Sequence, residues 1–561
     1  MVFSVVISHQ ICYLLLQISC MWSFDMSPKL DNINNISKRN FLEQIGMIAG
    51  STALYTAMSA LDLVHASAKD KPPLLSTEGK GKTVLILGAG LSGLVTALEL
   101  SKKGYKYQII EAREHSGGRT QTARKGKVID ELGGERQVCD FDHGQYLNIG
   151  PWRIPAEHKA VIHYCRELGV ELEPMINKSV HAYYYSENIE GPLKGRRVRQ
   201  VELDVDRAGS IQELLAKAVG NGSLDDEIDT EDKERLLEYL ASTGLLDRKK
   251  LNYRANRGRG HSIDQYPGTL LDAGKLSEPF ELAELLKINI GRRWNTADHP
   301  SVMYQAKGGM DQIPFAMEKV LKRRSISYNS EVTYIQNNIN NVVITIKNTK
   351  SGKVKKIEGD YVISTIPFSV IAGIDNNFSN DVKTALKSAT SSPAFKIGLQ
   401  FTRRFWEEDD MIYGGASYSD MDGHYQTSYP SSNLFGGDGD VMLTNYKYGG
   451  GSVELSNMTI PERIEHSLTC GEKLHPGNFR KYYNGKAISK SWHRDRYALG
   501  GASSFRSRRQ RRKNIPIVVK GEKRIIFSGG GMSPYHAAWM TGAIEGAWQM
   551  IHEFDKRVAK G

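Results

Sequence analysis

The chain has 561 residues, 40% hydrophobic and 24% charged, which suits a protein with a large core and excludes a disordered chain, a coiled coil or a collagen. At roughly 150 residues per domain this length gives three or four domain-sized masses. The net charge of +11 is interspersed with 63 acidic residues and gathers on no aromatic-lined face, so no nucleic-acid partner is expected, and five cysteines without a C-x-x-C pair exclude a zinc finger, an iron–sulfur site and a disulfide scaffold.

Residues 1–20 are apolar, and a second apolar stretch runs from Ile45 to Leu61. Between them lies Ser37-Lys38-Arg39-Asn40-Phe41-Leu42-Glu43, and Ala66-Ser67-Ala68 follows. A basic pair, a short apolar run and a small-x-small site read as an export signal over residues 37–68. It is similar to a twin-arginine signal with Lys38 in place of the first arginine, and Met26 is an alternative start. Residues 1–68 then form signal and leader, and the mature chain is expected to be periplasmic or secreted, without a stable membrane span. A cytoplasmic or N-terminally anchored chain is the alternative, because Ile45–Leu61 approaches the ~20 residues of a membrane span. Cys139, Cys165 and Cys470 remain after such a cleavage, an odd count that leaves no complete disulfide framework.

Thr83–Leu87 is a short apolar run of β-formers and reads as a buried parallel strand. Gly88-Ala89-Gly90-Leu91-Ser92-Gly93 follows, then helical spacing over Leu94–Lys103, a stop at Gly104, and a strand at Tyr107–Ile110 that ends in Glu111. The mechanics point to a dinucleotide. Gly88 permits the tight turn, Gly90 lets backbone approach a pyrophosphate, and Gly93 lets helix and strand pack closely. The helix start at Leu91 and Ser92 offers amide donors to the phosphates. Glu111, with Ala112 and Arg113 after it, is placed to accept from ribose hydroxyls. Gly117-Gly118-Arg119-Thr120 then brings amides and a cation back toward the same pyrophosphate. The chain turns irregular through Lys125–Gly150 instead of continuing regular β-α repeats, which favours a flavin dinucleotide over a nicotinamide one.

This run resembles the flavin amine oxidase family, which includes monoamine, polyamine and L-amino-acid oxidases. Four further segments carry the resemblance in the family's order. Gly150-Pro151-Trp152-Arg153-Ile154-Pro155 is similar to the G-P-x-R-x-P stretch of L-amino-acid oxidases. Gly308-Gly309-Met310-Asp311 resembles the segment that returns to the flavin domain. Ala394-Phe395-Lys396-Ile397, with Phe405-Trp406, resembles the strand that carries a flavin-facing lysine. Ile525–Gly531 with Ala538–Ala543 resembles the closing strand, loop and helix. The resemblance spans about Lys82 to Phe554, with Tyr185–Pro300 matched only in general terms.

The resemblance implies an α/β fold, a doubly wound Rossmann-type FAD domain with an inserted mixed α+β substrate domain. The FAD domain would be discontinuous, over 80–155, 300–375 and 500–555. Residues 156–300 would form the helical part of the substrate domain and 376–499 its β-rich part. Ser327–Val332 and Val342–Ile346 read as a β-hairpin, with Val332 meeting the adenine, and Tyr361–Thr365 reads as a buried strand ending beside the cofactor. Helical spacing is clear at His158–Leu168, Ile211–Val219 and Asp232–Leu240. The acidic run Asp225–Glu234 reads as a solvated helix start, and the basic cluster Arg506–Lys513 as a solvated loop or a contact with an anionic surface.

Oxidising a C–N bond requires a hydride acceptor, and flavin N5 supplies one, so neither a metal nor a protein nucleophile is expected. Arg153 can grip a substrate carboxylate with two parallel hydrogen bonds, a contact a plain amine cannot use. Tyr446 resembles the family tyrosine that donates to the same carboxylate. Lys396 matches the lysine that sits near N5 and aids oxygen reaction or imine hydrolysis, and Trp492 and Trp539 would wall the flavin ring. Gly530, Gly531, Met540 and Thr541 would complete the cofactor contacts. Gly530 departs from the family, which commonly has a glutamate there. No cysteine lies in the closing segment, so the FAD is expected to be non-covalent. The expected reaction is FAD-dependent oxidative deamination of an L-amino acid by O2, giving a 2-oxo acid, ammonia and hydrogen peroxide. A monoamine or polyamine oxidase, a decarboxylating amino-acid monooxygenase and a flavin-binding protein with little oxidase activity are the alternatives, and a homodimer is left open.

Overall fold

The computed structural model describes residues 71–559 apart from 80, 254–257, 262–273, 290–297, 323, 438 and 534–535. The leader read over 1–68 lies outside the described residues. Strand β1 (Thr83–Leu87) runs into helix α1 (Leu91–Lys102) and strand β2 (Lys106–Ile110). With β3 (Ile326–Ser327), β4 (Tyr361–Ser364) and β5 (Ile525–Phe527) they form a five-stranded parallel sheet in the order β5-β4-β1-β2-β3. The α/β class and the parallel sheet agree with the sequence reading.

Alternation along β1 divides the core in two. Val84 and Ile86 pack with Leu94, Val95 and Leu98 of α1 and with Ile544, Ala547 and Ile551 of α2 (Met540–Ala559). Leu85 and Leu87 point the other way, toward Ile335, Ile344 and Phe378. A strand buried on both faces needs such a continuous apolar run, because each successive side chain meets a different layer. The second layer is a four-stranded sheet in the order Val354–Gly359, Val342–Asn348, Ser330–Asn337, Asp375–Asn376. Helices Asn380–Lys387 and Arg508–Lys520 contribute to the same core through Val382, Leu386 and Val518.

The hairpin read from Ser327–Val332 and Val342–Ile346 is present, but its first strand begins at Ser330 rather than Ser327. Asn329 has φ +51°, a left-handed turn that separates β3 from the strand Ser330–Asn337. That second strand pairs with Val342–Asn348, and Val332 lies opposite Ile346. The basic cluster also differs from its reading. Ser507 caps a helix over Arg508–Lys520 by accepting from the Gln510 amide, and six basic side chains from Arg506 to Lys513 are exposed on and beside its first turns.

A seven-stranded sheet runs in the order Tyr483–Ser491, Ala394–Phe401, Asp440–Tyr448, Gln426–Ser428, Ala416–Ser419, Tyr183–Tyr185, Arg197–Arg199. All eight residues of Ala394–Phe401 are buried, because the strand is flanked on both edges and covered on both faces. Helices Gln200–Gly220 and Thr230–Ser242 include the segments read at Ile211–Val219 and Asp232–Leu240, and the segment read at His158–Leu168 forms the helix Lys159–Glu167 with its two end residues as caps. Asp229, within the acidic run, caps the helix Thr230–Ser242 by accepting from the Asp232 amide. Cys139, Cys165 and Cys470 are buried and free. Among the described residues no helix is long and apolar enough to cross a membrane.

Candidate active site

The carboxyl ends of β1, β2, β4 and β5 open into a cavity of about 600 Å³, where ligands bind in open parallel sheets. The glycine turn shapes one wall. Gly88 has φ +100°, and a Cβ on Gly93 would lie 2.0 Å from the Gly88 carbonyl oxygen. Helix α1 begins at Gly90 with no side-chain cap, so its first amides face the cavity without a side-chain partner at the cap. Gly118 has φ +58°, and a Cβ there would lie 3.1 Å from the Gly90 Cα, so the two glycine segments meet closely.

Glu111 ends β2 with a buried carboxylate that accepts from the Ala89 amide (2.7 Å) and the Arg113 amide (2.8 Å). A carboxylate has about four acceptor positions, so capacity remains for a ligand hydroxyl. The same residue therefore braces the glycine turn and faces the cavity. Arg119 donates to the Gly501 carbonyl (3.1 Å) and has no carboxylate within salt-bridge reach among the described residues. A guanidinium in a cavity wall beside open helix amides suits a phosphate. Arg113 instead pairs with Asp495, which also takes Lys490 at 2.8 Å.

The other end of the cavity is aromatic and cationic. Lys396 is buried, and its Nζ donates to the Asn148 carbonyl at 3.0 Å and to the Gly150 carbonyl. It lies 5.3 Å from the Trp152 ring centroid and 4.8 Å from that of Tyr446. Burial first, and the charge of Arg153 second, hold its amine well below the usual lysine range. Arg153 is half-buried, with its guanidinium 5.2 Å from the Trp152 ring and 5.8 Å from the Trp539 ring. Its Nη1 donates to Asn177 Oδ1 at 2.7 Å, and Asn177 Nδ2 donates to the Pro300 carbonyl at 3.0 Å. Trp492 is buried and donates from its indole to the Ile149 carbonyl at 2.7 Å.

Every site residue expected from the sequence lines this cavity except Gly93 and Thr541. Gly93 sits behind the turn, where its missing side chain permits the packing of α1 on β1 rather than a ligand contact. Thr541 is fully buried in the first turn of α2, beneath the wall formed by Trp539 and Met540. Gly530 does line the cavity, and a Cβ there would come no closer than 3.4 Å to another atom, so the backbone does not demand glycine. His536 is not among the lining residues and pairs with Glu545 at 3.1 Å. The sequence reading missed Asn177, which fixes Arg153 from 24 residues away, and Asp495, which joins Arg113 to Lys490. No local spacing links these partners, which come together only through the fold. It also missed Tyr448, Tyr497 and His299 in the lining.

The family described as flavin containing amine oxidoreductase matches residues 91–550. The L-amino-acid oxidase of Echis ocellatus is 28% identical over 482 residues, covering 83% of this chain and 87% of that protein. The Bacillus subtilis (strain 168) protein YobN is 25% identical over 493 residues, covering 86% of this chain and 96% of YobN. Among solved structures, a putrescine oxidase bound to putrescine superposes with a TM-score of 0.56 at 17% identity, covering 84% of this chain and 98% of its own. Cyclohexylamine oxidase from Brevibacterium oxydans IH-35A also gives a TM-score of 0.56, at 15% identity, covering 85% of this chain and 99% of its own. Both structural likenesses concern the fold.

Proposed function

From a chain that belongs to the flavin-containing amine oxidoreductase family, and so is a flavin-dependent oxidase of amines or amino acids, we propose an L-amino-acid oxidase that holds FAD non-covalently. The observation that carries this reading is Arg153, a guanidinium held by Asn177 in the cavity wall between two indole rings and near Lys396. A cation so placed suits the carboxylate that distinguishes an amino acid from an amine.

The residues present fit a dinucleotide. Gly88 and Gly90, the start of α1 and Arg119 would hold its pyrophosphate, Glu111 its ribose, and Val332 its adenine. Among the described residues no cysteine lines the cavity, which supports a non-covalent group. When bound, the flavin supplies the acceptor for a hydride from the substrate α-carbon.

The chain's own residues then have positional tasks. Arg153 clamps the carboxylate, which aims the α C–H in one direction, and Tyr446 contributes a hydroxyl from the same wall. Trp152, Trp492 and Trp539 exclude water and keep the local dielectric low, which strengthens the clamp. Burial and Arg153 hold the Lys396 amine well below the usual lysine range, which favours the form that can take up a proton or polarise a water when the imino acid is hydrolysed to the 2-oxo acid and ammonia. O2 would take up the electron pair together with two protons and leave as hydrogen peroxide. The leader over 37–68 belongs to the same proposal as an export signal.

The test is anaerobic mixing of the yellow protein with pooled L-amino acids and, separately, with pooled amines. Bleaching near the flavin visible band by amino acids alone is expected. Bleaching by amines alone overturns the amino-acid reading and leaves an amine oxidase.

A further inference from the structure

We propose that Glu157, His158, Asp298 and His536 form a divalent-cation site, suited to Zn²⁺, packed against the outside of the Trp539 wall. Each residue offers one donor atom, and the four donors lie within 4.8 Å of one another. His158 Nε2 and His536 Nε2 each lie 3.8 Å from Asp298 Oδ1. That is too long for a hydrogen bond. Two ligands bound to one tetrahedral zinc at about 2.0–2.2 Å stand roughly 3.4 Å apart, so closure by a few tenths of an ångström brings these pairs into a coordination sphere.

His158 gives a second, independent observation. Its side chain is 2% exposed, and among the described residues Nε2 has no hydrogen-bond partner although it points into the cluster. Leaving a buried ring nitrogen unpaired costs free energy that a metal bond would recover. His536 is oriented from behind. Its Nδ1 lies 3.1 Å from both oxygens of Glu545, and Ser533 Oγ donates to the same carboxylate at 2.9 Å. A carboxylate accepting from one ring nitrogen fixes the tautomer and turns the other nitrogen's lone pair outward, as in carboxylate–histidine–zinc arrangements.

Packing holds the rings. The His158 and His536 centroids are 4.9 Å apart, and His158 meets Trp539 edge-on at 4.8 Å. Two imidazole nitrogens and two carboxylate oxygens suit Zn²⁺ and its transition-metal neighbours, whereas Mg²⁺ and Ca²⁺ favour oxygen alone. The elements that bring the donors together are far apart in sequence. Glu157 and His158 precede the helix Lys159–Glu167, Asp298 precedes the strand Val302–Ala306, and His536 precedes α2. Their meeting point is the wall that also bears Arg153, so an ion here would stiffen Trp539 without contacting substrate.

The test uses untagged holoenzyme dialysed against a chelator and titrated with ZnCl2 in a calorimeter, with CoCl2 as a spectroscopic substitute. One ion per chain is expected, with a Co²⁺ ligand-field spectrum of nitrogen–oxygen type. His158→Gln, His536→Gln and the exposed-side Glu157→Gln should each weaken Zn²⁺ at least ten-fold. Glu545→Gln should weaken it by a similar or smaller factor, since outer partners are worth 10–100-fold. Flavin content and melting temperature in chelator are measured for each variant, and Glu157→Gln, on the exposed residue, keeps the comparison open if a histidine variant fails to fold. No stoichiometric binding to native holoenzyme overturns the site. So does binding that the folded variants leave unchanged, which would put the ion elsewhere.

Discussion

Replacing Arg153 by alanine removes a guanidinium that lies 5.2 and 5.8 Å from two indole centroids and is anchored at 2.7 Å to Asn177. A substrate carboxylate in that setting loses a two-point, charge-assisted contact and is left desolvated among aromatic rings. Hydrogen bonds to charged groups contribute about 1.5–3 kcal/mol, and an unpaired buried charge costs more, so the loss is about 2–4 kcal/mol. That corresponds to roughly 30- to 1000-fold in kcat/KM for an amino acid. The matching decarboxylated amine should be a poor substrate of the native enzyme and should lose little further in the variant. Arg153→Lys should recover part of the activity, because an ammonium supplies charge without the planar fork. Asn177→Leu should give an intermediate loss, since it removes one hydrogen bond that orients the guanidinium without removing the charge. The charge also acts on Lys396, whose amine is held low by burial and secondarily by Arg153. Arg153→Ala should therefore move the acid limb of the pH–rate profile to higher pH, whereas Arg153→Lys should move it less. The assay is steady-state oxygen uptake with paired amino-acid and amine substrates on all four proteins. Equal slowing of both substrates would make Arg153 a structural or flavin-holding residue and refute the carboxylate argument.

Lys396→Met should retain flavin yet slow turnover ten-fold or more, about 1.4 kcal/mol of barrier, as read by stopped-flow reduction and reoxidation. Because the folded chain holds this amine well below 10.5, it binds fewer protons than the unfolded chain between the lowered value and 10.5. Stability from this residue therefore rises with pH across that window, at up to ~1.4 kcal/mol per unit, and Lys396→Met loses that slope, so melting midpoints measured against pH should show the variant falling behind as pH rises. Glu111→Ala strands the Ala89 and Arg113 amides at about 1–3 kcal/mol each, so it should lose flavin on gel filtration, while Glu111→Gln should lose less; native protein should release all its yellow colour on acid precipitation. Gly93→Ala puts a Cβ 2.0 Å from the Gly88 oxygen, and the forced shift of α1 should lower the melting temperature and flavin content together by about 1–3 kcal/mol of strain. An unchanged melting curve would show that the helix and turn are not in such close contact.

The sequence alone was enough for the glycine-turn end of the cavity. Thr83–Leu87, the glycine turn and Glu111 are contiguous, and their spacing is set by the geometry of one β-α-β unit, so the mechanism can be read locally. The segment Gly150–Arg153 and the lysine within Ala394–Ile397 were legible as motifs, although nothing local says that they meet. Only the tertiary structure decided what surrounds them. Lys396 gains its depressed basicity from burial first and from Arg153 second, and Arg153, with the Asn148 and Gly150 carbonyls that accept from the amine, comes from a segment about 250 residues away. Arg153 is oriented by Asn177, and Arg113 is claimed by Asp495, 382 residues later. The same holds where the reading erred. Asn329 breaks a continuous β-run by adopting φ +51°, and Ser507 caps a helix where the basic cluster suggested a loop. Glu157, His158, Asp298 and His536 share no spacing at all, and they converge because the chain crosses one wall three times. Covalent neighbours fix local periodicity, but a buried charge takes its pKa and its partner from whichever segments the core brings beside it.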